Sequence, residues 1–376
     1  MMHRLRLLSL ALLLPLLAAA GCRRGDGPET EEETKLGISI YIPSPAQTRA
    51  DEGSVASETA AEDAINDLQI WVFLSEACAG HPAGYCLGYL APSPLSFASE
   101  FQTRYYLSLE KAVAKAKPRL DVYALANAAS AGYDGLDRNT TASELDALVL
   151  QGGVFGIDNG APVQTSVPDG GFPFSGVGKN MEMSGKYPVL SVDVVTLRRS
   201  VSKLRFVFSQ LEDEEGLFND FAVTGIQVDG ERIAAREYLF NDSANAWKMD
   251  PMAGYTASGF SMALPASLAQ CRMPEKYAFS GQDAATYQAL INEGLLSGEL
   301  SSGGVCYLRE SDRKLSGTIR YTIGGVPGEV PFEMKNAGDF ARNHTWIVYL
   351  YFTADAIGFS VSWTLWEEGH DFNLTD

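Results

Sequence analysis

The sequence predicts a mostly β protein, two β-sandwiches in series with a few short helices. Two observations carry this. Short segments rich in β-branched and aromatic residues recur along the chain with turns between them. Amphipathic helical stretches are few and short. With 376 residues, 46% of them hydrophobic, the chain buries enough for two domains of ordinary size.

The strand segments come in order. "LQIWVFL" (68–74), "RYYLSL" (104–109) and "LDVYALAN" (120–127) lie in the first half, followed by "LSVDVVTL" (190–197). "SKLRFVFS" (202–209) and "FAVTGIQVDGERI" (221–233) open the second half, the latter with an Asp229-Gly230 turn signal. "GTIRYTIGGVPGEVPF" (317–332) reads as a hairpin, and "TWIVYLYF" (345–352) and "IGFSVSWTLW" (357–366) close the set. Helices are expected at 142–151, capped by Thr141 or Ser143, and at 281–296. The stretch "GVGKNMEMSGKYP" (176–188) reads as a junction, placing one sandwich over 36–195 and the other over 196–376.

Residues 1–22 read as an export signal. His3, Arg4 and Arg6 are followed by an apolar run too short to anchor in a bilayer, and then by "AAAGC". The ending resembles the lipobox of bacterial lipoproteins and makes Cys22 the expected lipidation site, with Ala19 where leucine is usual. Residues 23–35 are polar and acidic, a disordered tether. Then "KLGISIYI" alternates, with Leu36, Ile38, Ile40 and Ile42 on one face. Pro43 and Pro45 end it, and Arg49-Ala50 follow among small polar residues.

A net charge of −18 argues against nucleic acid as partner. Besides Cys22, four cysteines remain. They allow three pairings, and proximity favours Cys78–Cys86 and Cys271–Cys306 in an oxidising compartment. With no CxxC and four histidines, of which only His81 lies between Cys78 and Cys86, no metal site is expected. His344 reads as a turn or capping residue. There is no G-x-S-x-G, glycine-rich phosphate loop or HExxH, so no catalytic residue and no cofactor are assigned. Asp242-Ser243-Ala244 resembles a short O-glycosylation signal and equally reads as a polar loop.

Several pieces in a fixed order resemble one family. They are the lipobox at Cys22, a strand followed by "TRA" (48–50), "EDAINDLQIWVF" (62–73), "LDVYALAN" (120–127), "MSG" (183–185) leading into "VTLRRSVSKLRFVF" (195–208), "ARNHTWIVYLYF" (341–352) and "VSWTLWEE" (361–368). In this order the chain resembles the fimbrillins, the pilin-like lipoproteins of type V pili in anaerobic Gram-negative bacteria, over essentially all of the mature sequence. The resemblance implies two transthyretin-like β-sandwich domains and no enzyme activity. It implies a lipid anchor in the outer membrane, then a cut between Arg49 and Ala50 by a trypsin-like protease. Loss of residues 36–49 opens a groove, which the C-terminal strand of another subunit fills. The donor on this chain is "IGFSVSWTL", with Ile357, Phe359, Val361, Trp363 and Leu365 on one face. Partners are then other fimbrial subunits and a ligand on a host or bacterial surface. The retained "TRA" disfavours a base anchor, and the C-terminal strand favours a shaft or accessory subunit. The alternative is a tip adhesin or surface glycan-binding lipoprotein, with Trp71, Trp247 or Trp363 stacking on sugars.

Overall fold

The computed structural model describes residues 33–42, 62–95, 102–150, 167–211, 221–229, 238–240, 260–263, 272–273, 305–310, 313–333, 342–352 and 357–365. All of these except Glu33 belong to one compact unit, Thr34–Asp376. The lipobox with Cys22, the Arg49-Ala50 bond, Trp247, Cys271, the Asp242-Ser243-Ala244 stretch and the 281–296 segment lie outside the described residues.

The first half contains β1 (Lys35–Tyr41), β2 (Leu68–Leu74), β3 (Cys86–Leu90), β4 (Gln102–Ser108) and β5 (Leu120–Ala126). It continues with β6 (Phe174–Met181), β7 (Ser184–Lys186), β8 (Val189–Ser191), β9 (Val195–Thr196) and β10 (Arg198–Arg199). Two five-stranded sheets result. One runs β4-β1-β8-β7 with β9 also on β1, and the other runs β10-β6-β5-β2-β3. The second half contains β11 (Ser202–Leu211), β12 (Phe221–Val228), β13 (Phe260–Ala263), β14 (Arg272–Met273) and β15 (Val305–Leu308). It ends with β16 (Ser316–Ile323), β17 (Val326–Glu333), β18 (His344–Phe352) and β19 (Ile357–Leu365). Its sheets run β14-β11-β18-β19, with β15 on β11, and β13-β12-β16-β17. The helices α1 (Lys111–Ala116) and α2 (Ala142–Ala147) are short. The protein is mostly β, in sandwich layers, as its sequence predicts.

Local chemistry explains the central elements. β2 and β5 are almost wholly apolar, and both are buried along nearly their full length. They pair antiparallel from Leu68↔Ala126 to Leu74↔Leu120. Trp71 is fully buried between them, and its Nε1 donates to Asp137 O at 2.7 Å, so it is core and no sugar platform. α2 starts at Thr141, whose hydroxyl accepts from Glu144 N while the Glu144 carboxylate accepts from Thr141 N, a reciprocal cap.

Residues 176–188 are not a junction. They form β6 and β7 within the first half. Their glycines mark close packing rather than a linker: a Cβ on Gly176 would lie 2.3 Å from Thr196 O, and one on Gly178 2.3 Å from Met181 Sδ. The chain passes from the first pair of sheets to the second between Arg199, paired with Phe174, and Ser202, paired with Leu308.

That crossing is held by buried charge. Glu62 is fully buried, with Lys203 Nζ 2.9 Å from its Oε1 and the Tyr307 hydroxyl donating to the same carboxylate. Arg199, 1% exposed, donates through Nε to Glu62 O at 3.2 Å, through Nη1 to Asn343 Oδ1 at 3.1 Å, and through Nη2 to the Asp63 carboxylate. Arg342 grips Glu310 through Nε and Nη2 at 3.1 and 2.6 Å and caps Leu239 O with Nη1 at 2.8 Å. Asn343 N donates to Val201 O at 2.8 Å. Residues from five separated segments therefore meet at one place. Lys203→Met strands the Glu62 carboxylate in the interior, and the expected loss is about 3–5 kcal/mol in urea denaturation. Pairing it with Glu62→Met, which removes both charges, should recover most of that loss.

Candidate functional site

β1, the first strand among the described residues, is the element whose placement is most distinctive. β1 occupies a slot inside its sheet rather than an edge. On one side it pairs antiparallel with β4 over its whole length, from Lys35↔Ser108 to Tyr41↔Gln102. On the other it pairs parallel with β8 through residues 35–37 and with β9 through residues 40–41. Further main-chain bonds stitch both sides. Leu109 N donates to Thr34 O at 2.9 Å, Lys35 N to Pro188 O at 2.9 Å and Leu197 N to Tyr41 O at 2.8 Å.

The strand's two faces differ. Leu36, Ile38 and Ile40 are fully buried and Ile42 is 3% exposed, so the predicted apolar face is the core face. Burying four such side chains contributes about 6–12 kcal/mol gross. The other face carries Gly37 and Ser39, which are covered by β4. Arg104 Nε donates to Ser39 Oγ at 3.1 Å. A Cβ on Gly37 would stand 3.2 Å from Arg104 Cδ and 3.4 Å from Tyr106 Cε1. The slot thus takes an extended chain with large apolar groups inward and small groups outward.

The predicted donor segment is β19. It pairs antiparallel with β18 along its entire length, from His344↔Leu365 to Phe352↔Ile357, and is the last strand of its sheet among the described residues. Ile357, Phe359, Val361, Trp363 and Leu365 occupy alternate positions in it, and Trp363 pairs with Trp346. His344 opens β18.

The cysteines depart from expectation. Cys78, Cys86 and Cys306 are free thiols, so neither expected bridge is formed. Cys78 closes a tight turn with His81 through two main-chain bonds of 2.9 Å, while Cys86 begins β3 and turns its Sγ to Gly88 O at 3.5 Å. Proximity in sequence did not bring the sulfurs together. His81 instead stacks on Tyr85, ring centroids 4.1 Å apart, and bonds Glu110 at 3.1 Å. Cys306 is fully buried on β15, and burial pushes its thiol far above the usual range. Burial also raises the Cys86 thiol, against smaller opposing effects of its bond to Gly88 and of Arg138. Among the described residues no group of three His, Cys, Asp or Glu side chains is arranged to hold a metal.

Sequence reasoning missed the polar network of Glu62, Asp63, Arg199, Lys203, Tyr307, Glu310, Arg342 and Asn343. A signal was present. Three of the pieces that carry the family resemblance, at 62–73, 195–208 and 341–352, supply six of these eight residues.

Two measurements test this geometry. Ile38→Ala should lower the stability of the intact chain by about 2–5 kcal/mol in chemical denaturation, as for a fully buried side chain. Iodoacetamide at about pH 8 should leave Cys306 unmodified in the native protein and alkylate it once the chain is unfolded, read by mass spectrometry of the peptide.

No family model matches the sequence, and no curated protein matches it. Solved structures do match. A candidate cell adhesion protein from Parabacteroides distasonis superposes with a TM-score of 0.53 at 14% identity, covering 90% of this chain and 99% of that one. A candidate cell adhesion protein from Bacteroides eggerthii gives 0.47 at 12% identity, covering 89% and 96%. The tip fimbrial protein Mfa3 from Porphyromonas gingivalis, solved with a C-terminal truncation, gives 0.46 at 13% identity, covering 89% and 100%. Along nearly its whole length, this chain shares the fold of the Parabacteroides protein.

Proposed function

We propose that this chain is a structural subunit of a cell-surface fimbria, a member of the fimbrillin family that assembles by donor-strand exchange. It is exported as a lipoprotein through Cys22 and held in the outer membrane until a trypsin-like protease cuts between Arg49 and Ala50. Residues 36–49 then leave, and β19 of a neighbouring subunit takes the vacated slot. The observation that supports this reading is the placement of β1. A first strand with an unbroken apolar face lies between β4 on one side and β8 and β9 on the other, and the arginine lies a few residues past its end. A sheet opened in its middle exposes both a row of main-chain donors and acceptors and an apolar trough, and a strand of matching alternation satisfies both at once. The partners are other subunits of the same fibre and the processing protease. The role is structural and adhesive rather than catalytic.

A second reading, a tip adhesin or surface glycan-binding protein, has one observation in its favour. Tyr106, on β4, and Tyr187, in the turn between β7 and β8, are 51% and 56% exposed. Aromatic rings so exposed offer a stacking surface.

Limited trypsin digestion of the soluble form, residues 23–376, separates the readings. The new N-terminus is sequenced and assembly is followed as SDS-resistant ladders, with Arg49→Ala as control. A cut at Ala50 followed by ladders, both lost in the mutant, is the expected outcome. A clean cut without ladders favours the tip reading. Resistance at Arg49, with residues 36–42 still bound, returns β1 to ordinary structure.

A further inference from the structure

The slot and the candidate donor share more than alternation. β1 reads Leu36-Gly37-Ile38-Ser39-Ile40, and β19 begins Ile357-Gly358-Phe359-Ser360-Val361. The glycine and the serine fall at the same places. Both are places where the slot is demanding. At Gly37, Arg104 and Tyr106 leave no room for a Cβ without displacement, and at Ser39 the hydroxyl accepts from Arg104 Nε. We propose that β19 enters the slot of a second copy in one register, with Ile357, Gly358, Phe359, Ser360 and Val361 in the places of residues 36–40 in order. This rests on the donor-strand reading above and assigns its specificity to Gly358 and Ser360.

A strand can slip by two residues without turning its apolar face outward, so alternation alone leaves the register open. The outer face closes it. Slipping one way puts Ala356 under Arg104 and Tyr106, and slipping the other way puts Ser360 there. Only the register stated gives that place a glycine while keeping a hydroxyl beneath Arg104; the second slip keeps one through Ser362 but sets Ser360 at the crowded place. Further along, Ser362 takes the place of Tyr41, which is 38% exposed and undemanding. Inward, isoleucine, phenylalanine and valine stand for leucine and two isoleucines, substitutions a core absorbs more easily than a new atom crowded against Arg104 and Tyr106.

The test needs no cleavage. In the intact soluble form, Leu36→Ile, Ile38→Phe and Ile40→Val together write the β19 sequence into the slot in this register. Its melting temperature should stay within a few degrees of wild type, and adding Gly37→Ser, which imitates the slip, should lower it much further. Equal melting of the two grafted chains, or collapse of the first, overturns the register. In the ladder assay Gly358→Val should abolish polymers and Ser362→Val should leave them. Wild type that never forms ladders defeats the fimbrial reading, while the grafted chains still decide whether the slot accepts this sequence.

A different feature carries a second inference, about the edge of the β13-β12-β16-β17 sheet. β16 and β17 are joined by Gly324-Gly325, with φ of +55° and +79°, a two-residue hairpin turn closed by Ile323↔Val326. In such a hairpin Val326, Gly328, Val330 and Phe332 direct their main-chain groups to β16. Pro327, Glu329, Pro331 and Glu333 direct theirs to the outer edge. β17 is the last strand of its sheet among the described residues, and these four outward positions are all exposed. Two have no N–H to give, and the other two carry carboxylates on a chain of net charge −18. We infer that β17 is an edge closed to strand addition, which keeps second copies of this chain from pairing sheet to sheet there. β19, at the end of its own sheet, contains neither proline nor charge.

The intact soluble form again serves. With Pro327, Glu329, Pro331 and Glu333 all replaced by Thr, sedimentation should show an average mass rising towards twice the single-chain value at concentrations where wild type stays monomeric. The far-UV spectrum should be unchanged. Should the fourfold variant unfold, Pro327→Thr with Pro331→Thr alone carries the test. A folded variant as monomeric as wild type overturns the inference, as does a disulfide-linked dimer formed readily by wild type bearing Glu329→Cys.

Discussion

The buried carboxylate of Glu62 is the constraint around which the two halves are organised. An isolated ion in that position would cost several kcal/mol, and Lys203 and the Tyr307 hydroxyl offset it only from fixed directions. Lys203 lies on β11 and Tyr307 on β15, so the pairing of those two strands is tied to a residue that precedes β2. Arg199 adds to the constraint by reading the main chain at Glu62 and the carboxylate of Asp63 at once. A hydrophobic contact at this crossing would tolerate sliding. This one has a direction for every donor, which makes the angle between the first sheets and the second a property of a few side chains.

The same constraint bears on how the slot can empty. β1 touches neither Glu62 nor its partners through its main chain; its bonds go to β4, β8 and β9 and the residues flanking them. The chain is pinned at Glu62 and Asp63 before β2 begins. Departure of β1 therefore removes four inward side chains and two rows of hydrogen bonds from one sheet. The crossing keeps all of its ion pairs. In the exchange proposed above, the sheet around β1 opens while the crossing stays rigid.

Much of this was legible in the sequence, and the parts that were not have identifiable causes. β2, β5 and β18 are mostly apolar and aromatic runs, and a run of that kind has few alternatives to a strand. β1 and β19 show their alternation directly. β7, β8 and β9 are only two or three residues long, so no period can develop, and "LSVDVVTL" appeared as one strand where the structure breaks it after Ser191. The 176–188 stretch misled because glycine and lysine resemble a linker, while here glycine admits β9 and Lys179 finds Asp146 and Tyr123. The buried charges were invisible for a deeper reason. A lone Glu or Lys in sequence is nearly always solvated, and only the meeting of distant segments gives each its partner. The cysteines failed the opposite way, since closeness along the chain said nothing about where two sulfurs point.

The register of β1 also has a consequence for the order of events during synthesis. Lys35 is made early, yet it pairs with Val189, roughly 150 residues later. Its other neighbour, β4, comes sooner, but a two-stranded ribbon of β1 and β4 is marginal alone in water. By this separation β1, made early, is expected among the last strands of its sheet to reach its place. A strand that joins late enters a sheet whose remaining members are already formed.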